Sequence, residues 1–125
     1  MILGLGIDIV DLAGFRGRLD DDLIAELFLP PEIEYCRSQH RFWENFAGRY
    51  AAKEAAFKAL GAGLEQGLRF GQVEIRRAKT GAITLELTGC AAEIASEKGV
   101  RRMLVSISHS RTTAIAVVIA EGAES

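Results

Sequence analysis

The chain has little from which a disulfide framework or a structural zinc site could be built. Its 125 residues include two cysteines and two histidines. Cys36 and Cys90 lie far apart with no C-x-x-C pairing, and His40 and His109 stand at spacings that suit no structural zinc. The thiols read as small core residues of a reduced, cytoplasmic protein. An excess of basic charge is missing too: the net charge is -2, which argues against a nucleic-acid binder. No apolar run reaches the roughly 18 residues of a membrane span. The apolar start, MILGLGIDIV, has no positive flank and is interrupted by Asp8, so no targeting segment is expected. No G-x-G-x-x-G or Walker pattern follows a strand, no G-x-S-x-G elbow is present, and no repeat or low-complexity stretch occurs.

What is there suffices for one domain. Half the residues are hydrophobic (49%), and the length is too short for two comfortable cores. The expected domain covers residues 1–120, with a loose tail at 121–125. Residues 2–10 read as a strand. Leu3, Leu5, Ile7 and Ile9 line one side, and Ile2, Gly4, Gly6, Asp8 and Val10 the other. The glycines beside Asp8 would let another backbone come close. Two helical pieces are expected within 11–28, the second favoured at its start by Asp20, Asp21 and Asp22. Pro31 suits the first turn of a short helix in LPPEIEYC. A long helix is expected over 42–60, stopped by Gly61. Strands at 72–77 and 83–87, a helix at 90–98, and strands at 102–108 and 113–120 complete the pattern. Strands and helices do not alternate regularly. The fold class is therefore α+β, an antiparallel sheet packed against a long helix.

Three polar features could carry chemistry. Asp8 interrupts an apolar strand, where ionised carboxylates are rare without partners. The long helix carries Arg49, Lys53, Glu54 and Lys58, and its small residues Ala51, Ala55 and Ala59 form a ridge that allows close packing on a sheet. Glu54 and Lys58 stand at i, i+4 in the favoured order, a spacing that also serves ordinary solvated helices, where it contributes about 0.2–0.5 kcal/mol. If Asp8 and Glu54 converge, two carboxylates suit a hard divalent ion such as Mg²⁺, with water and phosphate oxygens completing its shell. His109 follows an apolar strand among Ser106, Ser108 and Ser110, with no acidic partner at a triad spacing, and near phosphates it would act as a donor or charge partner. The glycine-spaced loop after Gly61 could present backbone N–H groups to an anion.

Taken together, GLGIDIV, FAGRYAAKEAAFKALGAG and VSISHS…AIAVVIA resemble, in order and over nearly the whole chain, the 4′-phosphopantetheinyl transferases, in their small single-domain branch of holo-[acyl-carrier-protein] synthases. The family signature, a G-x-D strand and a later K-E-A-x-x-K helix, reads here Gly6-Ile7-Asp8 and Lys53-Glu54-Ala55-Ala56-Phe57-Lys58. The resemblance implies transfer of the phosphopantetheine arm of coenzyme A to a serine of an apo acyl carrier protein, in fatty acid biosynthesis, releasing adenosine 3′,5′-bisphosphate. It implies that Asp8 and Glu54 hold Mg²⁺, and that Lys58 binds the pyrophosphate and assists the leaving group. It places Arg49, Lys53, His109, Gly61 and Gly63 near coenzyme A, and Phe15, Arg16 and Arg18 toward the carrier. Glu54 or a metal-bound water would take the serine proton. The resemblance further implies a homotrimer with sites between subunits. The family's G-K-P turn is replaced by Gly81-Ala82-Ile83. Two other readings fit parts of the pattern: a coenzyme A-binding module without turnover, and another Mg²⁺-dependent phosphoester enzyme.

Overall fold

The computed structural model describes residues 1–124. The first strand, β1 (Ile2–Asp11), leads into α1 (Leu12–Arg18) and α2 (Asp21–Leu27). Both short helices begin at an aspartate cap. The Asp11 carboxylate accepts from the Gly14 N–H at 2.8 Å, and Asp20 accepts from the Leu23 N–H at 2.8 Å. Next comes α3 (Pro30–Arg37), with proline in its first turn where no backbone donor is needed. The long helix α4 spans Phe42–Leu60 and ends at Gly61, whose φ of 68° forms the left-handed cap. Two single 3₁₀ turns (Leu64–Gln66 and Phe70–Gln72) precede a hairpin of β2 (Val73–Arg77) and β3 (Ile83–Leu87). Helix α5 (Gly89–Glu97) and strands β4 (Val100–His109) and β5 (Thr113–Gly122) follow. Of the expected tail, Glu121 and Gly122 belong to β5, and the Gly122 N–H donates to the Met1 carbonyl at 2.8 Å. Ser125 lies outside the described residues.

The main sheet has the order β1-β5-β4, antiparallel throughout, and β2-β3 forms a separate antiparallel hairpin. Helix α4 crosses the inner face of the main sheet. Its buried face is built of Ala51, Ala52, Ala55, Ala56 and Ala59, and it meets Ala114, Ala116, Val118 and Ala120 of β5. Small residues on both surfaces bring the helix axis close to the sheet. Against β1 the approach is closer still. A Cβ on Gly4 would overlap the Ala59 carbonyl, and one on Gly6 would overlap the Ala55 carbonyl. Only glycine fits at these two positions.

The other face of β1 is its apolar set. Leu3, Leu5, Ile7 and Ile9 are exposed, and across the sheet Leu5, Ile7 and Ile9 stand opposite Ile119, Val117 and Ile115. Leu104 on β4 extends the same surface.

A buried ion pair ties the remaining layer to α4. Lys53 is fully buried and its ammonium lies 2.9 Å from Glu32 Oε1 of α3. It also donates to the Phe70 carbonyl at 3.0 Å and the Val73 carbonyl at 2.6 Å. Glu32 in turn accepts from the Leu29 N–H and the Ile75 N–H, each at 2.8 Å. Burial lowers the Lys53 pKa, and the Glu32 carboxylate opposes that shift. The pair thus joins α3, α4 and the start of β2 with every member hydrogen-bonded. Removing one partner leaves an uncompensated charge in the core. Lys53→Met and Glu32→Gln are each expected to lower the unfolding free energy by about 3–5 kcal/mol, measured by urea denaturation. A loss below about 1 kcal/mol, the scale of an exposed pair, would contradict this role.

Candidate active site

The close packing of α4 on β1 sets the first group of polar residues. Asp8 lies one step along the same face of β1 from Gly6, and Glu54 and Lys58 emerge from the neighbouring turns of α4. Asp8 and Glu54 line one open cavity of about 380 Å³, together with Asp11, Arg18 and Tyr50. Asp11 is already engaged as the cap of α1. Glu54 also lines the adjoining cavity of about 420 Å³ with Lys58, Gly61, Gly63, Phe57 and Phe70. Glu54 therefore stands between the carboxylate pocket and the glycine loop.

The expected Glu54–Lys58 pair is not the one that forms. The Lys58 ammonium lies 3.1 Å from Asp8 Oδ1 and 2.9 Å from the Ile7 carbonyl oxygen, to which it donates. β1 brings a carboxylate and a carbonyl to Lys58 together, and these outcompete one residue of its own helix. Glu54 takes a different partner: the Tyr50 hydroxyl donates to Glu54 Oε1 at 3.1 Å. Burial, and then the negative charges of Glu54 and Asp8, push the Tyr50 phenol up to about 12, so it remains a donor at neutral pH. The sequence reading passed over Tyr50, although its i−4 spacing from Glu54 was the signal that could have found it.

A second group lies elsewhere on α4. Arg49 and His109 line a cavity of about 240 Å³ with Glu44, Asn45, Gly48, Arg77 and Gly81. Arg49 is largely buried with its guanidinium 4.5 Å over the Tyr35 ring, and among the described residues its Nε has no hydrogen-bond partner. His109 is half-exposed, with Nδ1 3.8 Å from Glu44 Oε2. Three cationic or protonatable groups converge here beside Gly81 in the turn between β2 and β3. Arg77 was not among the residues singled out in the sequence.

Two expected site residues are corrected by burial. Lys53 does not face a ligand: it is enclosed by Glu32 and two carbonyls, and its charge is spent inside the core. Phe15 does not face a partner: it is buried and stacks on Tyr50, ring centroids 5.4 Å apart. Arg16 and Arg18 remain exposed on α1. The Arg16 guanidinium stacks on Trp43 at 3.9 Å, and Arg18 lines the Asp8–Glu54 cavity. Cys36 is a core thiol pushed up to about 11 by burial, as expected of an unreactive cysteine.

The residues fit a magnesium ion in one specific sense. Mg²⁺ is held by one or two carboxylates, with water and substrate phosphates supplying the rest. Asp8 and Glu54 line one solvent-open cavity, and among the described residues no group of three or more metal-binding side chains converges. That donor set suits an ion that shares its shell with a phosphate substrate rather than a closed structural site. Among the described residues, no helix is long and apolar enough to cross a membrane.

Comparison with known proteins covers nearly the whole chain. The family model described as the 4'-phosphopantetheinyl transferase superfamily matches residues 4–118. The holo-[acyl-carrier-protein] synthase of Koribacter versatilis is 42% identical over 124 residues, covering 97% of this chain and 99% of that one. The protein of the same name from Desulforudis audaxviator is 41% identical, covering 98% of this chain and 95% of its own length. Among solved structures, the Bacillus anthracis holo-(acyl-carrier-protein) synthase in complex with CoA (3',5'-ADP) aligns with a TM-score of 0.83 at 31% identity, covering 98% of this chain and 99% of that chain. The Helicobacter pylori holo-[acyl-carrier-protein] synthase in complex with coenzyme A gives a TM-score of 0.81 at 30% identity, covering 94% and 99%. A family-model match over most of its length and full-length relatives at 42% and 41% identity show that this chain belongs to the 4′-phosphopantetheinyl transferase superfamily.

Proposed function

We propose that the protein transfers the 4′-phosphopantetheine arm of coenzyme A to a serine of an apo acyl carrier protein, a reading supported by relatives named holo-[acyl-carrier-protein] synthase and by similar structures in complex with coenzyme A. The observation that carries this reading is the juxtaposition of Asp8, Glu54 and Lys58 at the β1–α4 contact, next to the Gly61–Gly63 loop. In the transfer, the serine hydroxyl oxygen bonds to the pantetheine-side phosphorus. The phosphoanhydride bond to the nucleotide-side phosphate breaks, the hydroxyl proton is released, and adenosine 3′,5′-bisphosphate leaves. Asp8 and Glu54 are the residues that would hold Mg²⁺. Bound there, the ion would neutralise charge on the phosphate oxygens. Lys58, in the adjoining cavity with Glu54 and 3.1 Å from Asp8, supplies a cation suited to the charge that grows on the leaving phosphate. Glycines at 61 and 63 let the loop backbone lie close to the nucleotide.

Arg49, Arg77 and His109 suit a phosphate of the same donor, yet within one chain they line a cavity separate from Asp8 and Glu54. A homotrimer with sites between subunits accounts for the separation, one chain supplying the carboxylates and its neighbour the basic cavity. The exposed apolar face of Leu3, Leu5, Ile7 and Ile9 supports such an assembly, because contiguous apolar sheet surface of this kind marks an interface. Arg16 and Arg18 on α1, beside the carboxylate cavity, are the contacts proposed for the acidic carrier. The Asp20–Asp22 run lies just beyond them, and Asp21 is paired with Arg37 at 3.0 Å.

Incubation with coenzyme A, Mg²⁺ and an apo acyl carrier protein tests the reading by mass spectrometry of the carrier. The carrier is expected to gain one phosphopantetheine group, and Glu54→Gln is expected to lose at least about 10²-fold in rate. Coenzyme A binding without any gain on several carriers would point instead to a binding module, and near-normal turnover by Glu54→Gln would remove the assignment of that carboxylate. Shared sites make a further demand. Co-expressed Glu54→Gln and His109→Ala chains are expected to form mixed oligomers more active than either variant alone, because some sites then contain both native residues. Activity no higher than that of the single variants would contradict a site built from two subunits.

A further inference from the structure

Tyr50 sits one helical turn before Glu54 and donates its hydroxyl to Glu54 Oε1 at 3.1 Å. Its ring has little freedom. Phe15 of α1 stacks on one side, with centroids 5.4 Å apart and planes at 27°, and Phe70 lies at 5.8 Å. Phe70 is itself packed on Phe57 of α4 at 5.2 Å. The hydroxyl is therefore delivered from a clamped ring to one oxygen of a flexible carboxylate, inside the cavity that Asp8 also lines. A glutamate side chain has three rotatable bonds, and a hydrogen bond at one oxygen selects among its conformers. With Oε1 engaged, Oε2 is the oxygen left for a cation.

We infer that Tyr50 is a positioning residue that presents Glu54 to the divalent cation. The inference rests on the metal-binding reading proposed for Asp8 and Glu54. Outer-shell hydrogen bonds of this kind orient a ligating side chain, and their loss weakens metal affinity by about 10- to 100-fold. Phe15 gains a reason for its burial: it is half of the clamp that fixes the Tyr50 ring.

The test is Tyr50→Phe, which keeps the ring and its stacking and deletes only the hydroxyl. Mn²⁺, a paramagnetic stand-in for Mg²⁺, is titrated into each protein with coenzyme A present, and free Mn²⁺ is read by electron paramagnetic resonance. The variant is expected to bind Mn²⁺ about tenfold or more weakly, with unchanged melting temperature and unchanged KM for coenzyme A, and to recover turnover as Mn²⁺ saturates. Equal Mn²⁺ affinity in the two proteins would overturn the positioning role and leave the transfer reading intact. So would a loss of affinity that merely follows an equal loss of thermal stability. Wild-type protein that binds no Mn²⁺ would overturn the metal reading and this inference with it.

Discussion

The contact between the glycines of β1 and the carbonyls of α4 governs the geometry of everything polar near it. No side chain fits between Gly6 and the Ala55 carbonyl, or between Gly4 and the Ala59 carbonyl. The helix consequently rides on the strand backbone itself. Asp8 is the next residue on that face of β1, so its carboxylate meets whatever α4 carries at the same level: Lys58 directly, and Glu54 across the shared cavity. An alanine-rich ridge on the helix and the alanines of β5 extend the same close packing across the sheet. The cost is strand propensity and side-chain burial forgone at the two glycines of β1; the return is a pair of carboxylates whose separation is set by backbone contact.

Polar groups on α4 divide according to what lies opposite them. Lys53 faces α3 and the start of β2, where Glu32 and two carbonyls satisfy it completely, so it stabilises the frame. Glu54 and Lys58 face β1 and open cavities. Arg49 stacks its guanidinium on Tyr35 of α3 and also lines the cavity of His109 and Arg77. One helix thus carries a core pin, a carboxylate–lysine centre and part of a basic cavity. Separation of the last two within a single chain is what motivates the proposal of a site completed by a neighbouring subunit.

Much of this was legible in the sequence, for identifiable reasons. Alternation in ILGLGIDIV placed Asp8 with the two glycines and left four apolar residues on the other side, as the strand shows. Gly61 marked the end of α4, and Asp20 the start of α2, because each satisfies a specific backbone need at a helix terminus. The assignments that failed depend on partners distant in sequence. Nothing near Lys53 announces Glu32, which is 21 positions earlier on another helix, and α4 is packed on so many sides that its periodicity singles out no one polar face. Phe15 was placed toward the carrier by the resemblance together with Arg16 and Arg18, but on α1 those arginines are exposed while Phe15 is buried. The local Glu54–Lys58 spacing was read correctly as possible and was overridden by tertiary partners, Tyr50 and Asp8.

The claim that backbone contact between β1 and α4 builds the site is tested most directly by Gly6→Ala. Its new methyl group must displace the helix from the strand, and overpacking of this sort costs about 1–3 kcal/mol. The measurement is the rate of carrier pantetheinylation by the folded fraction of the variant, with folding established separately by thermal unfolding. The account predicts a folded variant whose transfer is lost far beyond its loss of stability, because Glu54 and Lys58 no longer stand at the level of Asp8. A folded Gly6→Ala protein transferring at the native rate would contradict it.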